Sequence, residues 1–393
     1  MGIAERIPVI DVDTHIIEPY DLWTSRMSAK WGDRIPHVVW SDEQKQDIWL
    51  SGDRLVGLGA WAAHAGSEYW APDFTPRWEE AAPETVDPKR RLAMMDDYGV
   101  RTQLLYGNVL PLGSHAFDRG SGAGDELEFF LEVVRAYNDF LVDYASTDPK
   151  RYVPMMALPF WDVGHSVAEM QRAAALGHRG IIFPQYPEAH GQPRLADRHW
   201  DRLWAAAQEA ELSINFHIGS GGNPEIQILP EDAGRGPNDA VHVMTHFLDN
   251  ARTIGTVACS GICHRFPRLK FVSVESGVGW VPFVLQALDW TWKNNIARKE
   301  YPQYLLPSEY FRRQMYACFF FESGAPLDAA IEIAGADSIL YETDFPHPAA
   351  MAPGPTSTAS TPKDYIERTL GHLPDETLRK ILHDNAAALY RLD

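Results

Sequence analysis

The sequence predicts an α/β fold, a distorted (β/α)8 TIM barrel, on three observations. Eight short β-rich runs recur along the 393 residues, with helical sequence between most successive runs, as in parallel βαβ units. No G-x-G-x-x-G follows the first run, so an open doubly wound sheet lacks its usual dinucleotide fingerprint. Acids and histidines stand at the ends of several runs, where a closed barrel gathers its active site.

The first run, VIDVDTH at 9–15, is short and β-branched, yet it ends in a polar knot. Residues 16–80 then fall outside the repeat. They carry Trp23, Trp31, Trp40, Trp49, Trp61 and Trp70, and DIWLSGDRLVGLGA within them reads as a hairpin around Ser51-Gly52-Asp53. An insertion this long is expected to be functional, for instance as a lid. PETVDPKRRLAMMDDYGV predicts a helix with a glycine near its end, and RTQLLYG (101–107) is the second strand. GSGAGD (120–125) reads as a flexible connection. DELEFFLEVVRAYNDFLVDYAS repeats apolar residues at spacings of three and four, a helix before the strand RYVPMMALPF at 151–160.

The same alternation continues. VAEMQRAAALG precedes RGIIFPQ (179–185), and ADRHWDRLWAAAQEAEL precedes SINFHIGSGG (213–222). A helix running to CHRF leads to LKFVSVESG (269–277), GWVPFVLQALDWTWKNN to QMYACFFFES (314–323), and APLDAAIEIAG to SILYETDFPH (338–347). The tail over 362–393 gives two amphipathic helices expected to pack outside the barrel. Residues 1–393 are therefore expected to form one domain, with 16–80 as its insertion.

Composition narrows the class. Hydrophobic residues make up 45% and charged residues 23%, which describes a folded chain rather than a disordered or collagenous one. A net charge of −19 argues against nucleic acid as a partner, because phosphates would be repelled. No signal-peptide core opens the chain and no run reaches about 18 apolar residues, so no membrane partner and a cytoplasmic location are expected. Cys259, Cys263 and Cys318 fit a reducing compartment, and Cys259 and Cys263, four apart with no second pair at finger spacing, read as buried thiols.

The chemistry is carried by the strand ends. Asp13 and His15 are two apart and share one strand face. His217 ends the fifth run, Glu275 the sixth and Asp344 the eighth, with His347 three residues on. Singly, each also reads as a hydrogen-bonded structural residue; together, at one barrel mouth, they suit a divalent ion, Zn2+ first and Mn2+ as the other choice. Glu18 reads as a supporting residue or as the start of the next loop. His242 and His246 share a helix face that would line the mouth, leaving His246 within reach of a substrate.

The stretches DVDTHIIEP, NFHIG, FPRLKFVSVESGVGWVP, ETDFPHP and HDNAAALY, in that order and spacing, resemble the amidohydrolase-related (amidohydrolase 2) family, the group of aminocarboxymuconate semialdehyde decarboxylase. The resemblance covers nearly the whole chain and is weakest across 16–80. It implies a distorted barrel with one divalent ion, ligated here by Asp13, His15, His217 and Asp344. Family members are non-oxidative decarboxylases of mostly aromatic acids, with hydrolases and hydratases among them. This chain departs in two places: Asp13 stands where many members have a first histidine, and Glu275 where the decarboxylases often carry a catalytic one.

Two activities follow as expectations. The first is metal-dependent decarboxylation of a small, aromatic carboxylic acid, with Asp344 beside the ion as acid or base, and Glu275, His347 and His246 as further catalytic candidates. The second is hydrolysis, or dehydrative cyclisation, at an amide, ester or lactone carbonyl through metal-bound water. A barrel that binds without turnover is a third reading, disfavoured because all four ligands are present. Arg26, Arg34, Arg54 and Arg77 are candidates to meet a substrate carboxylate, the tryptophan-rich insertion to cover a flat ring. A homodimer or larger homo-oligomer is expected.

Overall fold

Strand formation follows the β-branched runs closely. The computed structural model describes residues 2–71, 75–109, 125–220 and 229–392. Its strands are β1 (Val9–His15), β2 (His37–Ser41), β3 (Gln46–Ser51), β4 (Arg54–Leu58), β5 (Val100–Tyr106), β6 (Tyr152–Met156), β7 (Gly180–Ile182), β8 (Ser213–His217), β9 (Phe271–Val274), β10 (Met315–Phe319) and β11 (Ile339–Tyr341). Eight of them form one sheet in the order β1-β5-β6-β7-β8-β9-β10-β11, with every pairing parallel. The ends of that sheet meet just beyond β1 and β11: His15 N donates to Phe345 O at 2.6 Å and Asp344 N to Asp13 O at 3.0 Å. This closes the (β/α)8 TIM barrel.

Local chemistry places the strands. The helix Pro88–Tyr98 starts with Asp87 accepting from Lys89 N and Arg90 N, has proline in its first turn, and stops at Gly99 with φ +72°. Gly180 in β7 is required by close approach, since a Cβ there would run into Met155 and the Asn215 amide. GSGAGD lies outside the described residues except for its last position, Asp125, which begins the helix Asp125–Ala145.

Two sequence expectations change. The hairpin within 16–80 is a three-stranded antiparallel sheet, β2-β3-β4, because HVVWS adds a strand by pairing His37–Ser41 with Gln46–Leu50. It packs into the same core as the barrel helix Asp125–Ala145, where Trp23 and Trp49 are fully buried with Val133 and Tyr137. The tail stays outside the barrel as far as Leu382, with Ile366 and Leu370 among the residues packed on its outer face, but its last helix does not. Ala386, Leu389 and Tyr390 join Ile10, Val12 and Leu104 in the barrel interior, and Tyr390 OH donates to Asn215 Oδ1 at 2.8 Å. Short strands explain this, since β7 and β11 are only three residues long and leave one end of the barrel to be filled. Among the described residues no helix is long and apolar enough to cross a membrane.

Candidate metal centre

Strand parity places Asp11, Asp13 and His15 of β1 in the interior, all with no exposed surface. His217 ends β8, while Glu275 and Asp344 lie just past β9 and β11. The last two hold left-handed backbone, φ +55° and +59°, unusual for residues with a side chain and costing on the order of 1–3 kcal/mol each. Each is held there: Glu275 N donates to Glu342 Oε2 at 3.0 Å, and Asp344 N to Asp13 O.

The side chains converge. His217 Nε2 stands 3.1 Å from His15 Nε2, 3.3 Å from Asp13 Oδ1 and 3.2 Å from Glu275 Oε2. His15 Nε2 is 3.6 Å from Asp13 Oδ1 and 3.5 Å from Asp344 Oδ1. The four candidates expected from sequence lie in two overlapping groups that share His15 and Glu275: Asp13, His15, His217 and Glu275 in one, and His15, Glu275, Asp344 and His347 in the other. His246 pairs instead with His242, Nε2 to Nε2 at 3.0 Å, and no contact joins it to the cluster among the described residues.

The donor set fits a divalent cation. Neither oxygen of Asp13, nor Oδ1 of Asp344, accepts a well-directed hydrogen bond, although all are buried and nitrogens stand close by. Both imidazoles are oriented as ligands, for Nδ1 of His15 meets Gly107 O at 3.2 Å and Nδ1 of His217 meets Ile218 O at 2.8 Å, which leaves each Nε2 turned inward. Charge points the same way. Asp11, Asp13, Glu275, Glu342 and Asp344 are all buried around this point, and among the described residues the buried guanidinium nearby, Arg91, reaches only the edge of the group. Buried carboxylates need a compensating cation.

Proton affinities follow from that crowding. Burial opposes a charge on His217, yet the carboxylates of Asp13 and Glu275 push it up to about 10. Burial and then the charge of Asp344 raise Glu275 to about 8. Burial and Asp13 hold Asp344 well above the carboxylate range, whereas burial with His347 and His217 nearby holds His15 well below the usual histidine value.

Supporting residues complete the site. Arg91 donates to His15 O at 2.6 Å and to Gln103 Oε1 at 2.8 Å, and its guanidinium lies 4.8 Å over the Phe345 ring. Gln103 in turn donates to Asp11, whose carboxylate accepts from Thr343 N at 2.9 Å and Thr343 Oγ1 at 2.6 Å. Glu18 proves to be a supporting residue: it accepts from Asn108 N and Val109 N, and Asn108 Oδ1 faces His347 Nε2 at 2.7 Å. The His347 ring stacks on His15 at 3.8 Å and has Nδ1 2.8 Å from Asp344 Oδ1. Of the arginines considered for substrate, Arg26 pairs with Asp143, Arg77 with Asp47, and Arg34 lies over Phe129.

Sequence reasoning missed Arg91, Gln103 and Asn108. Arg91 left a signal, because it shares the buried helix stripe of Met94 and Met95. Asn108 left none.

A closed eight-stranded barrel with a carboxylate and imidazole cluster at its mouth defines a metal-dependent barrel of the amidohydrolase type. The sequence profile described as Amidohydrolase matches residues 10–392, and the chain belongs to that family. It is 25% identical over 341 residues to the gamma-resorcylate decarboxylase of a Polaromonas species, spanning 80% of this chain and 91% of that protein. Among solved structures, an amidohydrolase of Mycobacterium avium subsp. paratuberculosis superposes with a TM-score of 0.75 at 23% identity, over 98% of this chain and 99% of that one. A dihydroxybenzoic acid decarboxylase of Polaromonas with bound manganese and the inhibitor 2-nitroresorcinol gives 0.61 at 20% identity, over 98% and 97%.

Proposed function

We propose that this chain is a metal-dependent, non-oxidative decarboxylase of a small hydroxylated aromatic acid. The observation that carries the reading is the set of buried, unanswered oxygens of Asp13 and Asp344 facing two inward Nε2 atoms, and the gamma-resorcylate decarboxylase relative supplies the reaction class. Asp13, His15, His217 and Asp344 would hold the ion. Two acids with two histidines, and the Glu275 carboxylate beside them, make an oxygen-rich set, which favours Mn2+ over the Zn2+ expected from sequence. When bound, the ion supplies Lewis acidity, drawing charge from a substrate oxygen.

The residues do the rest. Asp344, against His347, relays a proton to the ring carbon that bears the carboxylate. The bond to the carboxyl carbon then breaks, its electron pair returns to the ring, and CO2 leaves. His347, against Asp344 Oδ1, orients that acid and returns a proton to it. Glu275 offers a donor to a substrate oxygen across from His217.

The test is CO2 release from 2,6-dihydroxybenzoate and related acids by Mn2+-loaded protein. Asp344→Asn is expected to cut kcat by about 10²–10⁴. Glu275, placed to take a proton where a decarboxylase often has histidine, favours the hydrolase or cyclase reading as second choice. Turnover of esters or lactones with no CO2 from any acid that binds would overturn the first. Three free thiols support a reducing, cytoplasmic setting. Phe283 and Trp290, about three-quarters exposed on one helix, support a homo-oligomer, and a monomer in sedimentation at micromolar concentration would refute it.

A further inference from the structure

Beside His347 a cleft of 140 Å3 runs between residues 64–71 and 347–357. It was not anticipated from the strand-end motifs, because one wall belongs to the insertion. The two walls are stitched together. His64 N and Ala65 N both donate to Pro346 O at 3.0 Å, and Thr356 Oγ1 donates to Ser67 O at 3.0 Å. The walls also touch where Gly354 meets Gly66, since a Cβ on Gly354 would stand 3.1 Å from Gly66 Cα. The insertion is thus docked on the loop that follows Asp344, and the cleft has a fixed width.

Its size and lining select a ligand. An engineered apolar cavity of about 150 Å3 holds one benzene, so this cleft has room for one ring and no second. Alanines, a proline and Trp70 supply apolar wall, while His64, Thr356 and Ser357 supply polar atoms. The described lining contains no Lys, Arg, Asp or Glu. The inner end is His347, whose ring stacks on the ligand His15, so the cleft opens one imidazole away from the metal centre.

We propose that this cleft is the specificity subsite: it seats the far edge of a single-ring acid, and His64 reads an uncharged hydrogen-bonding substituent there, a hydroxyl or methoxyl. The proposal rests on the aromatic-acid reading above. A second carboxylate fits worse, because the described lining offers it no Lys or Arg and burying a charge without one is costly.

Calorimetry on the Mn2+-loaded protein tests this, using 2-hydroxybenzoate and its ring-hydroxylated, methoxylated and carboxylated derivatives. At least one hydroxylated or methoxylated acid should bind tenfold or more tighter than the parent, and the dicarboxylates weaker than it. His64→Leu and the cleft-filling Ala352→Leu should reduce that preference to under threefold, with Mn2+ stoichiometry unchanged. Ala352 is buried, so if Ala352→Leu fails to fold, the milder His64→Gln decides alongside His64→Leu. A preference that survives the substitutions, or tighter dicarboxylates, overturns the subsite. The two readings fail separately: CO2 release with binding indifferent to these residues sinks only the subsite. Substituent-selective binding with no CO2 from any acid sinks only the decarboxylase.

Discussion

Replacing Asp11 by asparagine should loosen the metal without touching a ligand. Oδ1 of Asp11 accepts from Thr343 N, and Oδ2 accepts from Thr343 Oγ1 and Gln103 Nε2. An amide has one acceptor. If its nitrogen faces Thr343 N, two hydrogens oppose each other and the backbone cannot turn. If it faces the other side, the Thr343 hydroxyl can reverse but Gln103 cannot, because its oxygen already serves Arg91 at 2.8 Å. One buried donor is left unanswered either way, at a cost of about 1–3 kcal/mol. Thr343 precedes Asp344, so the misfit reaches the site, and supporting residues of this kind are worth about 10–100-fold in metal affinity. Burial pushes Asp11 up to about 7, so the comparison belongs at pH 8, where the native carboxylate is charged. Competition with a fluorescent chelator should show the Mn2+ dissociation constant of Asp11→Asn raised by about 10–100-fold. A constant within twofold of the native value, with unchanged melting, would refute the network.

Three further outcomes follow from the structure. With His217 raised to about 10 and Glu275 to about 8, the metal-free protein carries protons at neutral pH that an ion must displace, so Mn2+ binding should release protons into weak buffer and tighten from pH 6 to 9; a pH-independent affinity would contradict this. Burial lowers His178 from 6.5 to about 4, so the unfolded chain binds the extra proton across that window. Stability should be full above about pH 6.5 and fall by up to about 3 kcal/mol towards pH 4, a slope that His178→Gln should lose in urea titrations. Trp49 is fully buried and meets Trp23 edge-on at 5.0 Å, so Trp49→Ala should cost about 3–5 kcal/mol in denaturant unfolding, and a loss under 1 kcal/mol would place β2-β4 outside the cooperative core.

The barrel and its candidate ligands were legible because both depend on period-two strands. Asp13 and His15 share a face by arithmetic, and His217 and Asp344 end runs that read plainly as strands. Glu342 follows from the same parity, two before Asp344, but only the pairing with Glu275 N gives it a purpose. Arg91 and Asn108 act through partners remote in sequence, Phe345 and His347, and no local pattern encodes such contacts. Helical spacing put His246 beside His242, and that pairing gives each imidazole a partner away from the centre. The last helix of the tail was placed outside because amphipathicity reports a buried face without saying what buries it.

The hydrogen bonds that close the barrel also belong to two of the residues proposed to hold the ion. Asp344 N donates to Asp13 O where the first and last strands meet, and the two carboxylates stand 3.6 and 3.5 Å from the same His15 Nε2. A cation there acts as a rivet through the seam of the cylinder, so parting the first and last strands means surrendering it. Heat or chelators should therefore attack the same joint. The chain's durability then depends on its mineral supply as well as on its core.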